Sequence, residues 1–431
     1  MNLEQLYSLY LRANSVSIDS RNVPMKSIFF ALKGQNFNGN EFAKQAIASG
    51  ASFAIVDEKE YEDPDNDIYY VEDTLNALQK LAQYHRERLK IPIIALTGSN
   101  GKTTTKEMIN AVLSKKYKVA YTKGNLNNHI GVPLTLLSIH PNYEIAVIEM
   151  GANHLLEIDF LSNIVQPDFG YITNFGKAHL EGFGGEEGVI KGKSELYQYL
   201  EKNEKVAFVN CDDQQQAELT QNIRRITFGT DKDAEYQFKY NKTTEGSCDE
   251  IIYKSTSFLC NLVGEYNTYN VAAAIAIGLK FEVDVSDIKM AIEEYRSENN
   301  RSQIVELDSK KIILDAYNAN PTSMQAALLN FSKFKEKKTV ILGDMFELGT
   351  DSLKEHQQIF DLAQKLNFDK LYLIGDYFSK INYENSNENT KVFQNREEAE
   401  KFFSENKPQE NLLLIKGSRG MALENLLDIF K

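Results

Sequence analysis

The sequence predicts an α/β protein of three domains: a small N-terminal α/β domain over residues 1–90, a central domain over 91–300 with a mostly parallel sheet, and a C-terminal α/β domain over 301–431. Three observations carry this. Short apolar runs alternate with helical stretches along nearly the whole chain, the pattern of parallel strands covered by helices on both faces. At 431 residues the chain has room for roughly two to four ordinary domains. And the run Ile91–Leu96 breaks at Thr97-Gly98-Ser99-Asn100-Gly101 to restart as a helix from Lys102, which is strand, glycine turn and helix N-terminus in order.

In the first block a helix is expected near Leu3–Arg12, an apolar strand over Ser27–Leu32, a helix around Phe42–Ala48 and a strand over Ser52–Val56. Asp57–Asp67, rich in Asp and Glu, reads as a solvated loop. Thr74–Leu89 reads as an amphipathic helix, with Leu75, Leu78, Leu81 and Ala82 on one face. In the central block Ile93–Leu96, Val119–Thr122, Ile145–Glu149, Gly170–Thr173 and Val206–Val209 are short apolar runs of the parallel-strand kind. Residues 224–262 show short alternating segments separated by turn residues, which predicts a small antiparallel region. A helix follows around Thr268–Gly278. In the third block strands are expected at Lys311–Ala316, Thr339–Leu342, Lys370–Ile374 and Leu412–Ile415, and the polar run Asn382–Thr390 is a loop.

Composition narrows the function classes. The net charge is −13, from 48 basic and 61 acidic residues, which argues against a nucleic-acid footprint. No apolar stretch approaches the ~20 residues of a membrane helix, and the start MNLEQLYSLYLRANS lacks a signal peptide's basic and apolar regions. Cys211, Cys248 and Cys260 follow no CxxC spacing, so buried free thiols explain them better than disulfides or zinc. The expectation is a cytoplasmic protein with no membrane and no nucleic-acid partner.

The chemistry begins at the glycine turn. Successive backbone N–H groups there face one concavity and the helix dipole adds positive potential, so polyphosphate is the natural occupant. Lys102 would reach the terminal phosphates and the Thr103 hydroxyl a magnesium ion. The long pattern GxxxxGK[ST] fails, because its first glycine would fall at Leu96; what stands is GxxGKT with Thr103, Thr104 and Thr105 in a row. Glu149 ends its strand where acids beside a phosphate loop commonly hold magnesium. Asn174 and His179 follow another strand on the same expected edge. Lys193 lies in a predicted helix, and its spacing alone does not distinguish it from a solvated lysine. Asn125, Asn127, Asn128 and Gly131 precede an apolar helix, where the amides can cap the helix or hold a polar ligand. In the third block Asp315 ends a strand before Tyr317, Asn318, Asn320 and Pro321, a capped loop or a ligand loop. Lys416, Ser418 and Arg419, in KGSRG, offer two cations and a hydroxyl to an anion.

TGSNGKTTTKEM, NLNNHIGVPLTLL, IEMGANH, TNFGKAHLEGFG, DAYNANPTSM, LGDMFELG and KGSRG occur in this order, and together they resemble the Mur ligases. SIDSRNV, FFALKGQNFNGNEF and AIASGASFAIV resemble that family's UDP-binding domain. The likeness covers essentially the whole chain. The GKTTT loop is shared across the superfamily, whereas YNANP with LGDMFELG resembles the members that add D-alanyl-D-alanine to UDP-N-acetylmuramoyl-tripeptide.

The resemblance implies a UDP-binding domain, a P-loop ATPase domain and a Rossmann-like ligase domain, acting as a monomer in ATP-dependent amide formation through an acyl phosphate. It implies ATP at Gly98, Asn100, Gly101, Lys102, Thr103 and Thr104, with magnesium at Thr103, Glu149 and His179. Lys193 matches a lysine that the family carbamylates, giving a carboxylate-like group that can bridge to a second magnesium. Lys102, Glu149, His179 and Lys193 are thus the implied catalytic set. Asn267 and Asn270 match adenine contacts, Arg301 a phosphate contact and Asp315 a ribose contact; Ser20, Arg21, Lys33 and Gly34 match uridine-nucleotide positions. Asn127, Asn128, Tyr317, Asn318, Asn320, Lys416, Ser418 and Arg419 are the remaining candidate substrate residues. Two departures stand out: the family's Gly-x-His-Asn reads Gly264-Glu265-Tyr266-Asn267, and its Asp-Gly-His reads Asn38-Gly39-Asn40. Rival expectations are a tripeptide-forming or folylpolyglutamate-type ligase of the same superfamily, and a P-loop switch. Exclusion of water from an acyl phosphate predicts open and closed forms.

Overall fold

The computed structural model describes residues 1–243, 246–307, 310–383 and 386–431. The first sheet has four parallel strands in the order Ser15–Ser17, Ser27–Phe30, Phe53–Val56 and Ile68–Tyr70. Its two middle strands are buried along their whole length, which is why they read as continuous apolar runs. The helix Thr74–Arg86 starts where the Asp73 side chain accepts from Asn76 N–H. It buries Leu78, Leu81 and Ala82 and ends against the central domain. There Arg86 donates to Val165 O at 2.9 Å and pairs with Asp168 at 2.9 Å. Tyr10 Oη donates to Leu137 O at 2.8 Å, which also ties the two units.

Seven parallel strands make the central sheet, in the order Tyr236–Gln237, Arg224–Gly229, Val206–Asn210, Phe169–Ile172, Ile93–Thr97, Ile145–Glu149 and Val119–Tyr121. The chain leaves Ile93–Thr97 for strands on one side and later returns to strands on the other. Helices diverge at such a switch point, and a crevice opens beyond the strand ends. Register places Leu96 opposite Glu149 and Thr97 opposite Ile172, so the residues that follow these strands meet at that crevice. The helix Asn267–Lys280 buries Val271 to Gly278 without a break; its alanines let it pack closely on the phosphate-loop helix Lys102–Leu113.

The expectation of an antiparallel region over 224–262 is corrected in part. Arg224–Gly229 and Tyr236–Gln237 extend the parallel sheet, and the antiparallel sheet is confined to Lys239–Asn241, Glu250–Tyr253 and Thr256–Phe258. The reason lies in exposure. Arg224 and Arg225 are exposed while Ile226 and Phe228 are buried, and a half-covered strand alternates whether its neighbour runs parallel or not.

The C-terminal sheet runs Gln303–Leu307, Lys310–Asp315, Leu412–Lys416, Lys338–Gly343, Lys370–Ile374, Thr390–Phe393; only the first pair is antiparallel. Register sets Asp315 opposite Lys416 and Lys416 opposite Leu342, so the turns after three strands converge at one edge. Ser15–Ser17, Ile68–Tyr70, Gln303–Leu307 and Thr390–Phe393, all edge strands, escape the sequence pattern because one side of each is uncovered. Of the loop expected over 382–390, residues 384–385 lie outside the described residues. Among the described residues no helix is long and apolar enough to cross a membrane.

Candidate active site

The turn 97–101 works because two glycines adopt backbone conformations that other residues resist. Gly98 has φ 143° and Gly101 φ 78°, and a Cβ on Gly98 would stand 2.0 Å from Thr173 Oγ1. Asn100 N–H donates to Asn174 Oδ1 at 3.1 Å, and Asn100 O accepts from Thr173 Oγ1 at 2.6 Å and from Asn174 Nδ2 at 3.0 Å. Lys102 folds back over the turn, with Nζ donating to Gly98 O at 2.7 Å and Ser99 O at 3.3 Å. Desolvation lowers its ammonium from 10.5 to about 8, opposed by Glu149 and reinforced by Arg301.

Glu149 is buried beside this turn. Its carboxylate accepts from Thr103 Oγ1 at 3.0 and 3.2 Å and from Asn127 Nδ2 at 2.8 Å, and its N–H donates to Thr122 Oγ1. Lys106 Nζ, fully buried, lies 3.7 Å away. Lys106 follows Lys102 by one helical turn and shares its face, the only sign of its place that the sequence carries. A buried carboxylate with a threonine hydroxyl is a hard oxygen donor pair, which suits magnesium completed by phosphate and water. Among the described residues no group of three or more His, Cys, Asp or Glu is placed to hold a metal unaided.

Asn128 caps the helix Gly131–Leu137, its Oδ1 accepting from Ile130 N–H at 3.1 Å and Gly131 N–H at 2.9 Å. The alternative left open for these amides thus divides: Asn128 caps, whereas Asn127 holds Glu149. Both still line the crevice.

Lys193 is wholly buried in the helix Glu186–Lys202. Its Nζ donates to Ala152 O at 2.9 Å and lies 4.8 Å from the Phe183 ring centre. Burial, then the nearby Lys102, push this amine well below its ordinary value, against Glu157 and Glu195. His179, in the left-handed region at φ 53°, meets Glu347 of the C-terminal domain through Nδ1. That hydrogen bond lowers the Glu347 carboxyl.

The opposite wall comes from the helix Asn267–Lys280 and the C-terminal turns. Asn267 donates to Val263 O at 2.8 Å, and Asn270 both donates to Asn267 Oδ1 and accepts from Thr105 Oγ1. Arg301 lies 3.6 Å above the Tyr317 ring, its Nε buried without a hydrogen-bond partner among the described residues. Asp315 pairs with Lys416 at 2.6 Å and accepts from Ser302 N–H at 3.1 Å. Tyr266, where the family has histidine, bonds Ser302 Oγ at 2.7 Å, and burial raises its phenol. Lys416 also donates to Asn318 O, Ser418 Oγ accepts from Phe346 N–H, and Arg419 pairs with Glu424. Asn320 caps its own helix and donates to Asn100 Oδ1 at 2.7 Å, which joins the C-terminal domain to the phosphate loop.

One cleft of about 1010 Å³ collects the turn 99–104, Asn127, Asn128, Glu149, His179, Asn267, Asn270, Arg301, Asp315, Tyr317, Asn318, Lys416, Ser418 and Arg419. Lys193 stands behind Ala152, a wall residue, rather than on the surface of the cleft. Glu347, Glu157, Phe160, Asp212, Asp213 and Tyr269 line it too; Glu347 lies within LGDMFELG, whose spacing gives it no role, and no motif covers the other five. Ser20, Arg21, Lys33 and Gly34 lie apart, in the first domain. Ser20 is buried, Arg21 pairs with Asp19, Gly34 is exposed, and Lys33 pairs with Asp57 at 3.0 Å and Glu58 at 3.2 Å. The departure at Asn38 and Asn40 is absorbed there: Asn40, fully buried, bonds Asn38 and Asp57, and Asn38 donates to Glu58.

A phosphate loop facing a second α/β domain across a cleft this large defines a nucleotide-dependent enzyme with room for a further substrate. Family models match along the chain: "Mur ligase family, catalytic domain" over residues 12–86, "Mur ligase middle domain" over 96–278 and "Mur ligase, glutamate ligase domain" over 300–419. The chain is 34% identical over 430 residues to the UDP-N-acetylmuramoyl-tripeptide--D-alanyl-D-alanine ligase of Bacillus subtilis, covering 96% of this chain and 92% of that protein. MurF from Acinetobacter baumannii superposes with a TM-score of 0.87 at 32% identity, over 100% of this chain and 98% of that one. MurF from Thermotoga maritima in complex with ADP gives 0.83 at 26%, over 98% and 97%. The chain belongs to the Mur ligase family, and within it to the MurF type.

Proposed function

We propose that this chain joins D-alanyl-D-alanine to UDP-N-acetylmuramoyl-tripeptide, converting ATP to ADP and phosphate through an acyl phosphate, in the synthesis of peptidoglycan precursors. The observation that carries the reading is the shared cleft in which the phosphate loop and Glu149 face Asp315, Tyr317, Asn318, Lys416, Ser418 and Arg419. ATP phosphates lie on the amides of 98–104. Lys102 leaves Gly98 O for them, and the cleft environment that lowers its pKa makes a phosphate partner more favourable than the carbonyl. Asn267 and Asn270 face the base, Arg301 a phosphate and Asp315 the ribose. Thr103 and Glu149, with His179, would hold magnesium, which would supply charge neutralisation between triphosphate and attacking carboxylate.

The tripeptide carboxylate attacks the γ-phosphorus and ADP leaves; the dipeptide amine then attacks the acyl carbon and phosphate leaves. No side-chain nucleophile is required. The chain's work is to offset like charges, through Lys102 and a helix N-terminus, and to keep water from the acyl phosphate. Lys416, Ser418 and Arg419, with Tyr317, Asn318 and Asn320, receive the peptide substrates; Asn127 and Asn128 hold the loop beside Glu149. Ser20, Arg21, Lys33 and Gly34 receive the uridine nucleotide, and Lys33 exchanges its carboxylate partners for it.

Burial favours the neutral amine of Lys193, the form that adds to carbon dioxide with loss of a proton to give a carbamate. Its carboxylate-like oxygens would then supply a cation ligand behind the wall residue Ala152. The enzyme acts as a monomer in the cytoplasm, where its nucleotide substrates are found. Phosphate release from ATP with UDP-tripeptide, with and without D-alanyl-D-alanine, tests the reading. Release that depends on the dipeptide supports it. Turnover that ignores the dipeptide and UDP-tripeptide would indicate a nucleotide switch, and dependence on glutamate or a diamino acid another ligase of the superfamily.

A further inference from the structure

The segment 344–349, on the C-terminal domain's side of the cleft, is held by hydrogen bonds at three successive residues. Asp344 accepts from Tyr377 N–H at 2.9 Å and Phe378 N–H at 3.0 Å. His356, fully buried, donates from Nδ1 to Ser352 O at 2.6 Å and accepts at Nε2 from Met345 N–H at 3.0 Å. Phe346 N–H donates to Ser418 Oγ. A loop tied at three successive residues presents the fourth, Glu347, in a left-handed conformation at φ 61°. Its carboxylate meets Nδ1 of His179, itself left-handed, across the boundary between the C-terminal and central domains. Two non-glycine residues are thus held in a sparsely populated conformation at one contact, with His179 largely covered and Glu347 half-exposed.

We propose that Glu347 is a positioning residue that orients His179, so that the magnesium side of the site is completed only when the C-terminal domain is docked. The inference rests on the reading of His179 as a magnesium ligand given above. Its chemistry is that of a carboxylate behind a metal-binding imidazole: a neutral ring keeps its proton at Nδ1, donated to Glu347, and turns an unprotonated Nε2 away from Glu347. Nucleotide and metal binding are thereby coupled to docking of the domain that carries the 315–320 and 416–420 turns. Premature chemistry in an open, wet cleft is disfavoured.

The test is magnesium dependence of binding of a non-hydrolysable ATP analogue, measured calorimetrically on the full chain. Glu347→Ala raises the magnesium needed for half-saturation about tenfold, as expected for loss of a carboxylate behind a metal ligand. Glu347→Gln, whose carbonyl still accepts from Nδ1–H, restores most of the loss. The pair Glu347→Ala with His179→Ala binds no worse than His179→Ala alone, because one acts through the other. Three results would overturn the coupling while leaving the ligand reading intact: an unshifted Glu347→Ala beside a shifted His179→Ala, additive losses in the double variant, or a rise confined to the KM for D-alanyl-D-alanine. If His179→Ala itself leaves magnesium dependence unchanged, the ligand reading fails, and the coupling with it.

Discussion

Gly98→Ala strikes the phosphate loop at its tightest point. The φ of 143° lies where an L side chain is strained, at a cost of about 1–3 kcal/mol. The new Cβ would stand 2.0 Å from Thr173 Oγ1, so either the threonine rotates or the strand end moves. Rotation breaks its 2.6 Å bond to Asn100 O, worth about 0.5–1.5 kcal/mol. Together these come to about 2–4 kcal/mol, and all of it falls on the segment whose amides cradle phosphate. Thermal melting of the central unit should drop by roughly 4–16 °C, at about 2–4 °C per kcal/mol for a unit of that size. Nucleotide affinity, measured calorimetrically well below the lowered transition, should weaken at least about tenfold, since every 1.4 kcal/mol of loop distortion carried into binding is worth that factor. A variant that melts within about one degree of the parent and binds ADP equally well would refute the reasoning, because the strain and the clash are both local and unavoidable.

Lys193→Ala should lose most ligase activity, with added bicarbonate failing to restore it; full retention would sink the carbamate assignment. Lys102 makes nucleotide affinity pH-dependent with a definite sign. Its ammonium is near 8 in the free enzyme and higher with phosphate bound, so affinity is full below that pH and falls as pH rises through 8. Binding at about pH 8.5 should take up protons, visible in calorimetry across buffers of different ionisation heat, and absent uptake would contradict it. X-ray scattering should report a more compact particle with ATP analogue plus UDP-tripeptide than without ligand. Superimposable profiles would rule out large-scale closure.

The strands legible in the sequence were those covered on both faces. Ile93–Thr97, Ile145–Glu149 and Leu412–Lys416 are buried at every position and appear as unbroken apolar runs. Edge strands such as Gln303–Leu307 alternate weakly and were missed, since partial exposure leaves half their positions free to be polar. Arg224–Gly229 runs parallel to both neighbours although its sequence alternates, because alternation reports coverage, not the partner's sense. In the site, Gly98 to Thr104 and Glu149 were readable because a turn, a lysine and a strand-end acid each carry a local pattern. Lys106 and Glu347 lie within TGSNGKTTTKEM and LGDMFELG, but spacing assigns neither a role, because their importance lies in what they touch.

By itself the sequence determined the class of chemistry: a glycine turn before a helix binds phosphate through backbone geometry, which is local and therefore written in consecutive residues. It also determined the order of the α/β elements, through the burial each requires. The tertiary structure alone decided which distant side chains share the cleft. Sheet register places Glu149 beside the strand that feeds Thr103, domain packing brings Glu347 to His179, and burial turns the spacing-neutral Lys193 into an enclosed amine. These depend on residues far apart in the chain, so no local pattern could encode them.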